Sequence, residues 1–126
     1  MIKVWRVQGR DGRGPYRPGF SRKWCDDDGP IPPPTCFGEF PDLERLVATK
    51  RLLHGGHFGC GVLAPEDIGR WLTPTECRKL LKLRFHLVRM GVDDILAQSV
   101  NQVVFWRSRP LRKGIQMVPF PAPVTT

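Results

Sequence analysis

The spacing of apolar residues changes period several times along the chain, and each change marks an element. Lys3 to Gln8 alternates, with Val4, Arg6 and Gln8 on one face of an extended strand and Trp5 and Val7 on the other. Leu43, Leu46, Val47 and Lys50 recur at helical spacing, which predicts a helix from Leu43 to about Leu53, capped by Asp42 and ended by Gly55-Gly56. His57 to Leu63 reads as a short extended segment. Pro65 opens a short helix to about Leu72 that turns Ile68, Trp71 and Leu72 inward. Thr73-Pro74-Thr75-Glu76 has the pattern of a capping box with proline at the first helical position, and Cys77, Leu80 and Leu81 behind it are expected to face the core. Phe85 to Met90 alternates again, and Gly91 is expected to end that strand. Asp93-Asp94-Ile95-Leu96 suits a turn or one helical turn. Gln102 to Arg107 is the strongest strand by β-branched and aromatic content, closed by Arg109-Pro110.

Between these elements the chain is loop-rich. Gly9 to Gly19 is a run of turns that carries Arg10, Arg13, Tyr16 and Arg17. Glycines let backbone approach a ligand, and arginines bind phosphate bidentately. Phe20 to Phe40 has no periodicity, and a loop of that length in a compact domain warns of a missed element. Pro119, Pro121 and Pro123 make residues 116–126 an expected extended or disordered tail on a single domain of residues 1–115. The fold class is therefore α+β: a small single domain with a short, mainly antiparallel sheet, two to three helices and long Pro/Gly-rich loops.

With 126 residues and 40% hydrophobic content, the chain can bury a modest core. No apolar run reaches the roughly 18 residues of a membrane helix, and Met1 to Trp5 lacks a signal-peptide core, so a cytoplasmic protein in the host cell without a membrane partner is expected. Cys25, Cys36, Cys60 and Cys77 are too irregularly spaced for a disulfide framework, and Cys77 reads as a core thiol. The net charge of +8 points to an anionic partner or to a plain basic surface.

Candidate chemistry is sparse. His54, His57 and Cys60 have metal-ligand types, and Cys25 or Cys36 could complete a zinc site, but two glycines between the histidines favour a turn. Asp26-Asp27-Asp28 could hold a hard cation, although a solvated acidic loop is the commoner use. Trp5, Tyr16, Trp24, Trp106 and Arg107 mix bases with aromatics as a stacking platform for single strands does. No catalytic or metal-ligating set is assigned. The residues assigned to a ligand or partner are Arg6, Arg10, Arg13, Tyr16, Arg17 and Gln102.

Arg6 in a first strand, Gly14-Pro15-Tyr16-Arg17, Phe58-Gly59-Cys60-Gly61 before a helix, and Gln102-Val103-Val104-Phe105 together resemble small phage and prophage proteins, over roughly residues 2–113. More remotely, the order resembles the split-sheet ADP-ribosyltransferase fold. That resemblance implies NAD anchored by Arg6, an aromatic near the nicotinamide at Tyr16 or Phe58, and Gln102 at the ribose. Gln102 stands where that family carries glutamate, and a neutral amide stabilises an oxocarbenium-like transition state less than a carboxylate does. The leading expectation is a phage accessory protein that binds and blocks a host or defence component through cationic loops, as the anti-CRISPR class does. It needs no cofactor and has no working reaction centre. The alternatives are a divergent NAD-binding ADP-ribosyltransferase-like protein, active or inactive, and a nucleic-acid-binding protein.

Overall fold

The computed structural model describes residues 1–16, 23–25 and 36–121. Six strands are present among them: β1 (Ile2–Gln8), β2 (His57–Gly61), β3 (His86–Val92), β4 (Asp94–Gln98), β5 (Val103–Arg107) and β6 (Ile115–Val118). Three α-helices accompany them: α1 (Cys36–Glu39), α2 (Leu43–His54) and α3 (Pro74–Lys82), with a 3₁₀ helix at Pro65–Arg70. The strands form two three-stranded antiparallel sheets, ordered β1-β3-β6 and β2-β5-β4. Among the described residues a single bridge links them: Trp5 and Val62 exchange both backbone hydrogen bonds at 2.9 Å. The protein is a small α+β domain.

Alternation along β1 and β3 explains the layering. Val7 and Leu87 face a first core with Trp24, Val62, Ile68, Leu72, Leu80 and Phe85, under α3 and the 3₁₀ helix. The opposite faces give Val4, Val88, Met90 and Val92 to a second core, closed from the other sheet by Val103 and Phe105. The first sheet is thus covered on both sides. Arg6 shares the Val4 face, as the alternation predicts, and its guanidinium lies 5.9 Å from the centre of the Phe105 ring.

The capping box forms as read: Glu76 N–H donates to Thr73 Oγ1 at 3.1 Å, and Thr73 N–H donates to Glu76 Oε1 at 2.8 Å. The helix it starts buries a narrower stripe than expected. Leu80 is fully buried, Cys77 is half-buried with its thiol pushed up to about 11 by burial, and Leu81 points outward.

Other expectations are corrected. Gly91 does not end β3 but lies inside it, under Met1. Asp94–Gln98 is strand β4 and not a turn; Asp93 alone makes the corner, accepting from the backbone N–H and hydroxyl of Ser108. On α2 only Leu43 is buried, while Leu46, Leu52 and Leu53 are exposed, and Asp42 makes no side-chain cap. Residues 115–118 form β6 against β3, so the body runs past residue 115. Within the stretch 20–40, α1 is the missed element and Trp24 is buried. Arg17, Asp26–Asp28 and residues 122–126 lie outside the described residues. No helix among the described residues is long and apolar enough to cross a membrane.

Candidate functional site

A cleft of about 610 Å³ opens where the two sheets part. Its walls come from β1 (Trp5, Arg6), the turn 12–16, β2 (Phe58 to Gly61), the 3₁₀ region (Ile68, Trp71, Leu72) and the end of the β4–β5 turn (Asn101, Gln102). The lining is mostly apolar and aromatic, with a few polar groups, and the volume falls within the roughly 300–1,000 Å³ of small-molecule sites.

Arg6 is the central polar group. It is only 8% exposed. One guanidinium nitrogen donates to the Gly12 carbonyl at 3.0 Å and another to the Cys60 carbonyl at 3.3 Å. Its Nε is buried with no hydrogen-bond partner among the described residues, and none of their carboxylates pairs with it. Burial pushes the guanidinium down to about 10. Two glycines of β2 make the room. A Cβ on Gly59 would stand 2.3 Å from an Arg6 nitrogen, and one on Gly61 would stand 2.7 Å from the Trp5 carbonyl.

Arg107 is the other buried strand arginine, and its surroundings differ. Its Nε donates to the Gly91 carbonyl at 2.8 Å, and its terminal nitrogens donate to the carbonyls of Pro110, Lys113 and Gly114. Arg107 is a structural clamp on the loop before β6. Because it and Trp24 are buried, they cannot belong to an exposed stacking platform.

Tyr16 is held at the cleft by Trp24. The two rings meet edge-on at 5.1 Å, and Trp24 Nε1 donates to the Pro15 carbonyl at 3.2 Å. Burial raises the Tyr16 phenol pKa, and Cys25, Glu76 and Cys77 nearby raise it further. Phe58 carries the Arg51 guanidinium of α2 at 5.2 Å from its ring centre. At the far end, Glu39 of α1 accepts from the Ser99 hydroxyl and, at 2.7 Å, from Asn101 Nδ2. The Ser99 bond, followed by that from Asn101, holds the Glu39 carboxyl below its usual range.

Of the residues nominated from the sequence, Arg6, Arg13, Tyr16 and Gln102 line this one cleft. Arg10 is exposed and does not line it, and Arg17 is outside the described residues. Sequence reasoning missed Asn101, which lines the cleft, and Glu39, which bonds it; they carry no local signal, because they meet across 62 residues. His54 and His57 are exposed, and Cys60 is disulfide-bonded. No three His, Cys, Asp or Glu side chains gather among the described residues. Cys25 and Cys77 are not in a disulfide.

No curated protein and no solved structure matches the chain. A family model described as Bacteriophage T4 Y00F protein matches residues 1–116, and the chain belongs to that phage protein family.

Proposed function

We propose that this phage accessory protein binds a nucleotide with phosphate and ribose groups, NAD being the first choice, and that it holds the ligand without efficient turnover. One observation carries the reading. A guanidinium buried with no carboxylate and no Nε partner among the described residues shares a 610 Å³ cleft with Tyr16, Phe58 and Gln102. A buried cation of that kind is costly unless an anion completes it, and a guanidinium fork suits phosphate. Tyr16 and Phe58 offer ring surface to a base or to nicotinamide, and Gln102, whose side chain also bonds Glu39, lines the same cleft. These are the positions that the transferase resemblance singles out. A carboxylate in place of Gln102 would favour turnover; an amide favours binding.

Thermal denaturation with NAD, ADP-ribose and nicotinamide tests the reading. NAD at a hundred times its Kd stabilises by about 2.7 kcal/mol, a rise of several degrees in Tm. ADP-ribose should act similarly and nicotinamide weakly. No shift at millimolar NAD or ADP-ribose overturns the proposal. A second reading, steric blocking of a host or defence protein, is favoured by the exposed leucines of α2 (Leu46, Leu52, Leu53) beside Arg45. Capture of one stable host complex, lost when Leu52 and Leu53 are replaced by serine, would support it.

A further inference from the structure

We infer that the turn after β1 makes the cleft selective for a diphosphate: Arg6 takes one phosphoryl group from inside, and Arg13 takes the linked one at the surface. The inference rests on the nucleotide reading and adds to it a second cation, Arg13, that sets specificity.

Among the described residues, Arg6 and Arg13 are the cations of the cleft wall. The fold sets them side by side. Arg6 Nη2 donates to the Gly12 carbonyl at 3.0 Å, and a Cβ on Gly14 would stand 3.7 Å from the same nitrogen. The buried guanidinium therefore lies against the turn on both sides of Arg13. Gly12 makes the corner at a φ of 85°, a conformation open to glycine. The Gly9 N–H closes the turn by donating to the Arg13 carbonyl at 2.8 Å. The Arg13 backbone is thus fixed, while its side chain is 71% exposed and has a loose 3.8 Å contact to Asp11. Asp11 is itself tied down, accepting from the Arg13 N–H at 3.0 Å. A solvated pair of that length stabilises little, so Arg13 can exchange Asp11 for a ligand. Two neighbouring guanidiniums repel each other, and one anionic group neutralises only one of them. Two linked phosphoryl groups match both, each accepting charge-assisted hydrogen bonds. A carboxylate or a single phosphate on Arg6 would leave Arg13 with Asp11.

Isothermal titration calorimetry of the full chain with ADP, ADP-ribose and AMP, in buffer free of divalent cations, tests this. ADP and ADP-ribose should each bind at least about tenfold tighter than AMP, the worth of one charge-assisted pair. Arg13→Ala should bring that ratio below about threefold and leave AMP affinity within about threefold of wild type. Asp11→Asn keeps an oxygen for the Arg13 N–H but releases the side chain, and should tighten ADP binding by about two- to fivefold. Arg112→Ala controls for charge alone. Arg112 is exposed and off the cleft wall, yet its backbone nitrogen lies 3.7 Å from where a Cβ on Gly12 would stand. Its removal should leave the ratio at the wild-type value. Equal affinities for ADP and AMP, equal weakening of both by Arg13→Ala, an equal fall in the ratio with Arg112→Ala, or weaker ADP binding by Asp11→Asn overturns this inference and leaves the nucleotide reading standing. No binding of any of the three at millimolar concentration overturns both.

Discussion

Replacing each buried strand arginine with methionine separates ligand binding from fold maintenance. Carrying the Arg6 charge into the cleft lowers its pKa to about 10, which costs roughly 3 kcal/mol. Arg6→Met removes that cost and keeps most of the stem volume, but leaves the Gly12 and Cys60 carbonyls without this donor, at about 1–3 kcal/mol each. The two effects partly cancel, so the expected change runs from a gain of about 1 to a loss of about 3 kcal/mol. Arg107→Met removes the donor to four carbonyls and should cost at least about 3 kcal/mol. Urea denaturation gives both numbers, and the same samples report whether NAD still stabilises. Arg6→Met should abolish that stabilisation, whereas a folded fraction of Arg107→Met should keep it. An Arg6→Met protein less stable than Arg107→Met, or one that binds NAD normally, refutes the assignment of the two roles.

Three further substitutions address the scaffold. Gly59→Ala places a methyl group against Arg6 and Phe105; it should destabilise by about 1–3 kcal/mol in urea and abolish the NAD shift, because the guanidinium has to move. Leu80→Ala truncates a fully buried leucine under the first sheet and should cost about 2–5 kcal/mol by the same assay. Arg84 sits just past α3 at a φ of 66°, where Phe85 N–H donates to the Leu80 carbonyl and Arg84 N–H to that of Leu81. This is a Schellman end without its usual glycine, so Arg84→Gly should raise stability by about 1 kcal/mol.

Where a signal is local, the sequence carries it. The Thr73–Glu76 box needs four adjacent residues, and the faces of β1 and β3 follow from alternation alone, including the inward direction of Arg6. Strand β4 was hidden because Asp93-Asp94 has turn composition, while Ile95 and Leu96 are adjacent apolar residues that a bulge between Ile95 and Ala97 accommodates. Gly91 reads as a stop until Met1 is seen to cover it. The leucines of α2 form a helical stripe, but that helix touches the body mainly along β4, so most of them stay exposed. At the site, Arg6, Tyr16 and Gln102 were nominated by position, yet nothing local places them on one cleft. Their meeting depends on the single bridge between Trp5 and Val62 and on the turn that Trp24 fixes. The difference between Arg6 and Arg107 was illegible for the same reason. Both are arginines within strands, and only the loop 110–114 wrapping one of them makes it structural.

The two glycines of β2 tie these observations together. Glycine inside a strand costs roughly 0.5–1 kcal/mol relative to alanine, so Gly59 and Gly61 weaken the strand that has to join the sheets. Side chains there would strengthen β2 locally, but one would displace the Arg6 guanidinium and the other would press on the Trp5 carbonyl, the acceptor in the only bridge seen between the sheets among the described residues. The same absence of two Cβ atoms therefore lets β1 approach β2 and leaves space for a buried charge beside the joint. A domain selected for stability alone would fill that space with apolar side chains, as the second core does around Phe105 on the same face of β1. Keeping an arginine there, desolvated and incompletely hydrogen-bonded, makes sense if the missing partner arrives from solution.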